Sequence, residues 1–133
     1  MKYKKYPNRF LRHLFSGPLI WSILIPSVIL DIWIEIYHRI CFPLCGIDYV
    51  PRSRYIKIDR YKLSYLDFLE KIECTYCGYI NGLFQYWTMI AAESEIYWCA
   101  IRHKKSNDFK EPSHHKKFVD YGSKKKFERK YPN

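Results

Sequence analysis

The fold class predicted for this chain is mainly α, with an N-terminal membrane-inserted or interfacial helix followed by a helical hairpin and a basic tail. Three features predict it. A charge-free apolar run, Leu14 to Leu30, follows a basic N-terminus. Apolar residues then recur at helical intervals on either side of a break rich in Cys and Gly. The final stretch is rich in Lys and poor in aliphatic side chains. The corresponding boundaries are 1–13 for a basic N-terminal segment, 14–40 for the apolar helix, 41–103 for a small helical Cys-containing domain, and 104–133 for a basic, partly flexible tail.

A length of 133 residues suits one domain with tails. A hydrophobic content of 48% excludes global disorder, because it supplies enough apolar surface to offset chain entropy. Aromatic residues make up 19% of the chain, a density that suits cores, interfaces and the membrane–water boundary. The formal net charge of +10 calls for an anionic partner surface, either lipid headgroups or nucleic acid. Most of the excess sits at the two ends. Lys2, Lys4, Lys5, Arg9 and Arg12 precede the apolar run, and basic residues from Lys104 to Lys130 crowd the tail.

The apolar helix is the first element. About 20 residues are needed to cross a bilayer, and the run reaches that length only by including Asp31. Pro18 and Pro26 are expected to kink it, which membrane helices tolerate. Arg39, Arg52, Arg54, Lys57, Arg60 and Lys62 follow the run almost as densely as basic residues precede it, so both flanks read as cytoplasmic. A helix that enters one leaflet or lies along the interface meets this condition better than a simple span. The alternative is a buried core helix of a soluble protein. No small-residue cleavage pattern follows the run, so a removable secretory signal is not expected.

Pro43 and Gly46 are stop signals for that helix. Arg54 to Asp59 alternates polar and apolar residues and reads as a short strand or extended segment. Leu63, Leu66, Leu69 and Ile72 predict a helix over 61–73. Cys74 to Gly82 reads as a turn-rich break, with Asn81 a cap for a second helix carrying Leu83, Trp87, Ile90, Tyr97 and Ile101. Cys74 to Ala92 holds no charged residue, so this helix is expected to pack deeply or touch lipid.

Five cysteines, an odd number, point to a reducing compartment, where clustered thiols read as metal ligands or redox groups. Cys74 and Cys77 form a CxxC pair, and Cys99 and His103 lie one helical turn apart. Two thiolates from one turn plus a second pair from a helix face match the needs of tetrahedral zinc, with iron as the alternative. One straight helix from Ile80 to Ile101 would set its ends about 33 Å apart and keep Cys77 and Cys99 from sharing a metal, so the site requires a break around Ala92 to Glu95 or ligands from elsewhere. Cys41 and Cys45 could otherwise meet Cys99 and His103, and thiols without metal are the remaining reading. No βαβ pattern surrounds the CxxC, which disfavours a thioredoxin-like role.

Asp31, Glu35 and His38 share a helix face, but a di-iron site needs a second ExxH, and Glu95-Ile-Tyr-Trp98 offers Trp in place of His. These polar groups are expected to face headgroups or to pair with Arg52, Arg54 or Arg60. His114-His115 sits in the Lys-rich tail and reads as solvated. No nucleophilic triad and no Gly-rich phosphate loop is legible.

Several stretches, Tyr37 to Leu44, Arg54 to Arg60, Leu63 to Leu66, Phe118 to Gly122, and above all Cys74 to Gly82 and Tyr97 to His103, resemble a family of small bacterial proteins with no assigned activity, often described as membrane proteins. The resemblance covers roughly residues 30–122 and implies a bacterial origin. Members tend to carry Pro where this chain has Ala100, which would favour a helix break beside Cys99. The expectation is a membrane-associated, metal-stabilised accessory or interaction protein. It would lie at the bacterial inner membrane, mostly on the cytoplasmic side, with anionic lipid and a larger protein complex as partners. The alternatives are a metal-dependent enzyme or redox protein at the membrane and, less favoured, a basic nucleic-acid-binding module.

Overall fold

A computed structural model describes residues 8–132, leaving Lys2, Lys4 and Lys5 outside the described residues. The protein is mainly helical. Helix α1 (Arg9–Ser22) and helix α2 (Leu24–Leu44) are separated by Ile23 alone, whose own φ of −62° and ψ of −25° are helical. Pro26 has no N–H to offer the Ser22 carbonyl, so the hydrogen-bond ladder is interrupted there while the rod continues. Leu11–Leu44 therefore forms 34 residues of nearly continuous apolar helix.

Its end is specified locally. Gly46 adopts a left-handed φ of 66°. The Ile47 N–H reaches back to the Phe42 carbonyl at 2.9 Å, and the Gly46 N–H to Pro43 at 3.2 Å. This is a Schellman closure, and it uses carbonyls the helix would otherwise leave unpaired.

Residues 47–66 return along the outside of α2 without forming a strand. They contain two single-turn 3-10 segments, Arg52–Arg54 and Arg60–Lys62. Helix α3 (Phe68–Trp98) opens on a capping box: the Asp67 carboxylate accepts from the Glu70 N–H at 2.8 Å, and Glu70 accepts from the Asp67 N–H at 3.2 Å. The helix then runs unbroken for 31 residues.

The predicted break at Cys74 to Gly82, and with it the hairpin, is therefore corrected. Gly78 and Gly82 lie one turn apart on α3, and the returning strap crosses them. A Cβ on Gly78 would lie 2.8 Å from the Lys57 carbonyl oxygen, and one on Gly82 would lie 2.8 Å from the Ile56 Cα. These glycines permit close backbone approach and are not turn residues.

Trp21 meets Tyr76, Asp31 meets Tyr79, Glu35 meets Tyr86, and Tyr37 meets Ser94. Positions ascend together along both chains, so α2 and α3 run in the same direction with the strap wedged beside them. The small core is Phe42, Val50, Tyr86 and Ile90, with Ile34, Tyr37, Tyr55 and Trp87 packed against it.

The segment read as a tail is folded back on the end of α3. Ile101 and Val119 form a parallel bridge, with Val119 N–H to Ala100 at 2.9 Å and Arg102 N–H to Val119 at 2.8 Å. A 3-10 turn at Ser113–Lys117 and helix α4 (Lys124–Lys130) follow.

Candidate functional site

Helix α2 is turned inside out relative to a soluble core helix. Its buried residues are Ser27, Asp31, His38 and Phe42, three of them polar, on the stripe that meets α3 and the strap. The opposite face exposes Ile25, Ile29, Ile32, Trp33, Ile36 and Ile40, with Trp33 72% accessible. In the apolar window of Leu11–Leu44 only 11% of residues are buried, so this segment is not a core helix within the chain itself.

The inward stripe belongs to a closed polar network. Arg52, carried in by the strap, makes a bidentate pair with Asp31, both contacts 2.6 Å, and the Tyr79 hydroxyl donates to the same carboxylate at 3.0 Å. This is one of the pairings the sequence suggested. The second half begins at the Val50 N–H, which donates to His38 Nε2 at 3.1 Å. That bond assigns the ring proton to Nδ1, which donates to the Tyr86 oxygen at 3.0 Å. The Tyr86 hydroxyl then donates to Glu35 at 3.0 Å. Arg39 also bonds Glu35, at 2.7 Å, from one turn away.

Burial, and then the hydrogen bond to Glu35, holds the Tyr86 phenol well above its usual range. Tyr79 is raised for the same reason, with Asp31 as its acceptor. Both therefore act as hydrogen donors. With both ring nitrogens engaged, His38 has no atom left for a metal, and Glu35-x-x-His38 is a structural network. Its chemistry is the neutralisation of the Asp31 and Glu35 carboxylates by arginine and tyrosine partners.

Cys74, Cys77, Cys99 and His103 are not brought together. Cys74 is buried and Cys77 exposed on the first half of α3, and Cys99 lies exposed at the helix end. The chain from Cys77 to Cys99 follows an uninterrupted helix as far as Trp98, so the two lie about 33 Å apart. The helix does break beside Cys99, after Trp98, but this is too late to close that distance. Cys41 and Cys45 end α2 half-buried, and all five thiols are free.

A different cluster forms where the folded-back segment meets α3. His114 Nε2 lies 2.7 Å from Glu95 Oε2, and His115 Nε2 lies 3.1 Å from Glu95 Oε1. One donor atom from each of the three residues lies within 4.8 Å of the others. His115 is 1% accessible and stacks on Phe118 with ring centres 4.7 Å apart. The His103 ring is 5.7 Å away, so one of the four residues expected as ligands adjoins this cluster. The His114 hydrogen bond, and less so that of His115, outweighs burial and holds the Glu95 carboxyl below its usual range. The available signal in sequence was an adjacent His pair and an acid, Glu95, just beyond the uncharged stretch of a helix and 19 residues before His114. The intervening Lys-rich composition masked their proximity.

Compared with known proteins, the chain matches no family model, no curated protein and no solved structure.

Proposed function

We propose that the protein is a membrane-associated accessory module that lies along the membrane interface through α1 and α2 and presents α3 and its basic surfaces to the cytoplasmic side. The observation that carries this reading is the reversal of α2, with Asp31, Glu35 and His38 turned inward and its isoleucines and Trp33 turned outward. In water such a face would be an aggregation liability, whereas in lipid it is the expected exterior.

The strap supports an in-plane arrangement over a crossing one. Arg54, Lys57, Arg60 and Lys62 are exposed, and the strap that carries them returns past Asp31, Gly82 and Gly78 to the groove at Trp21 and Leu24. Were the helix perpendicular to the bilayer, those charges would sit at hydrocarbon depth. With the helix in the interface they reach headgroups and water, where each is worth about 1 kcal/mol toward anionic lipid. Exposed Phe84, Tyr97 and Trp98 on α3 suit contact with a partner protein in a larger complex. A nucleic-acid-binding role leaves the apolar face unexplained.

The full chain is expected to sediment with membranes, to resist high salt and to require detergent for release. Release by salt alone would overturn insertion. Asn8→Cys and Asp48→Cys, each in a cysteine-free background, are expected to react with an impermeant thiol reagent from the same side of the membrane. Labelling from opposite sides would replace the in-plane helix with a span.

A further inference from the structure

We infer that Glu95, His114 and His115 form a divalent-metal site of the zinc class, which ties the folded-back segment to the end of α3. The inference is independent of the membrane reading. Its first support is convergence. The Nε2 atoms of two histidines, on a 3-10 turn, aim at one carboxylate on a helix that ends well before them in sequence. Zinc bonds of about 2.0–2.2 Å place tetrahedral ligand atoms roughly 3.4 Å from one another. The N···O separations of 2.7, 3.1 and 3.2 Å need only small outward shifts to admit an ion.

The second support is the burial of His115. Its ring is out of contact with solvent, and Nδ1 has no hydrogen-bond partner. The ring's one polar engagement is therefore Nε2, at the point where Glu95 and His114 converge. The ring is also held there. Phe118 stacks on it, and Arg102 donates to the His115 and Lys116 carbonyls at 2.9 and 3.0 Å. A desolvated imidazole fixed by packing and backbone contacts, with its Nε2 directed at a shared focus, is positioned as a ligand.

The donor chemistry selects the class of ion. Two imidazoles and one carboxylate suit zinc and its neighbours, whereas calcium and magnesium take oxygen ligands and copper(I) takes thiolates. Three protein ligands leave a fourth position for water. Bound metal would join α3 to the turn at Ser113–Lys117, whose adjoining bridge and Arg102 contacts reach residues beyond the helix end. The cysteines have no part in this site.

The test uses the full chain in detergent, loaded with zinc alone, with affinity measured by chelator competition and stoichiometry by elemental analysis. One zinc per chain is expected. Glu95→Gln and His114→Ala, at partly exposed positions, are each expected to weaken binding about tenfold or more while helicity is unchanged. The triple variant Cys74→Ser, Cys77→Ser, Cys99→Ser should bind within about twofold of wild type, a span of about 0.4 kcal/mol on the scale where tenfold is 1.4. Cobalt substituted for zinc should lack a thiolate charge-transfer band. Because His115→Ala opens a buried cavity and can unfold the region, the other two variants decide the matter. Folded wild type that takes up no zinc overturns the site. So does zinc retained by both Glu95→Gln and His114→Ala, zinc lost from the triple cysteine variant, or a thiolate band.

Discussion

Two polar clusters built from the same residue types lie one after the other along the pairing of α2 with α3, and their hydrogen-bond accounting differs. In the Asp31, Glu35 and His38 cluster every nitrogen of the histidine is matched, and each carboxylate faces an arginine and a tyrosine. In the Glu95, His114 and His115 cluster three groups aim at one point, and a buried nitrogen is left without a partner. Acid and histidine together do not define a ligand set. A network with both ring nitrogens matched stabilises a helix pair, whereas two imidazole Nε2 atoms converging on one carboxylate bring three ligand-type atoms to one point.

The comparison can be broken most forcefully at Arg52. Arg52→Ala strands the Asp31 carboxylate, and because the arginine is one-third exposed the cost is expected at about 3 kcal/mol, the lower end for a buried pair. Denaturant unfolding in detergent measures it. A double replacement, Asp31→Leu with Arg52→Met, should recover most of that loss. If it does not, the pair does more than neutralise charge. Zinc at a hundredfold excess over its dissociation constant should stabilise the wild type by about 2.7 kcal/mol in a thermal melt, and His114→Ala should abolish the shift. The same addition should leave the Arg52→Ala deficit unchanged, since the two clusters share no residue.

The strap that delivers Arg52 is tested at Gly82. Gly82→Ala drives a methyl into the Ile56 backbone and is expected to cost about 2 kcal/mol. A neutral or stabilising result would contradict the close crossing of strap and helix.

The smallest effect concerns Tyr86. Tyr86→Phe removes the donor to Glu35 and the acceptor of His38, at about 1–2 kcal/mol near neutral pH. The folded phenol titrates above its ordinary value of 10.0. Its contribution is therefore fully present below pH 10 and is lost as pH rises from there toward the folded value, because the unfolded chain ionises first. Absorbance titration of the native protein should show late-ionising phenols, with one fewer in Tyr86→Phe.

Helical content, the apolar N-terminal rod and its stop at Gly46 were legible because each depends on neighbours in sequence: hydrophobic spacing, charge-free length and a glycine free to adopt positive φ. The Asp67-Glu70 capping box was equally local, yet the apolar spacing of Leu63 and Leu66 drew the predicted helix start upstream of it. Gly78 and Gly82 were misread as a turn because glycine marks both turns and close backbone crossings, and only the strap on α3 distinguishes them.

The sequence by itself determined that this is a basic, helical chain with one long apolar segment, since composition and periodicity carry that information. The tertiary structure decided which side of that segment faces inward, that Arg52 meets Asp31, and that His114 and His115 return to Glu95 while Cys74, Cys77 and Cys99 stay strung along α3. These outcomes depend on how residues 47–66 and 99–123 fold back, and pairings between residues far apart in sequence leave no periodic trace in either partner.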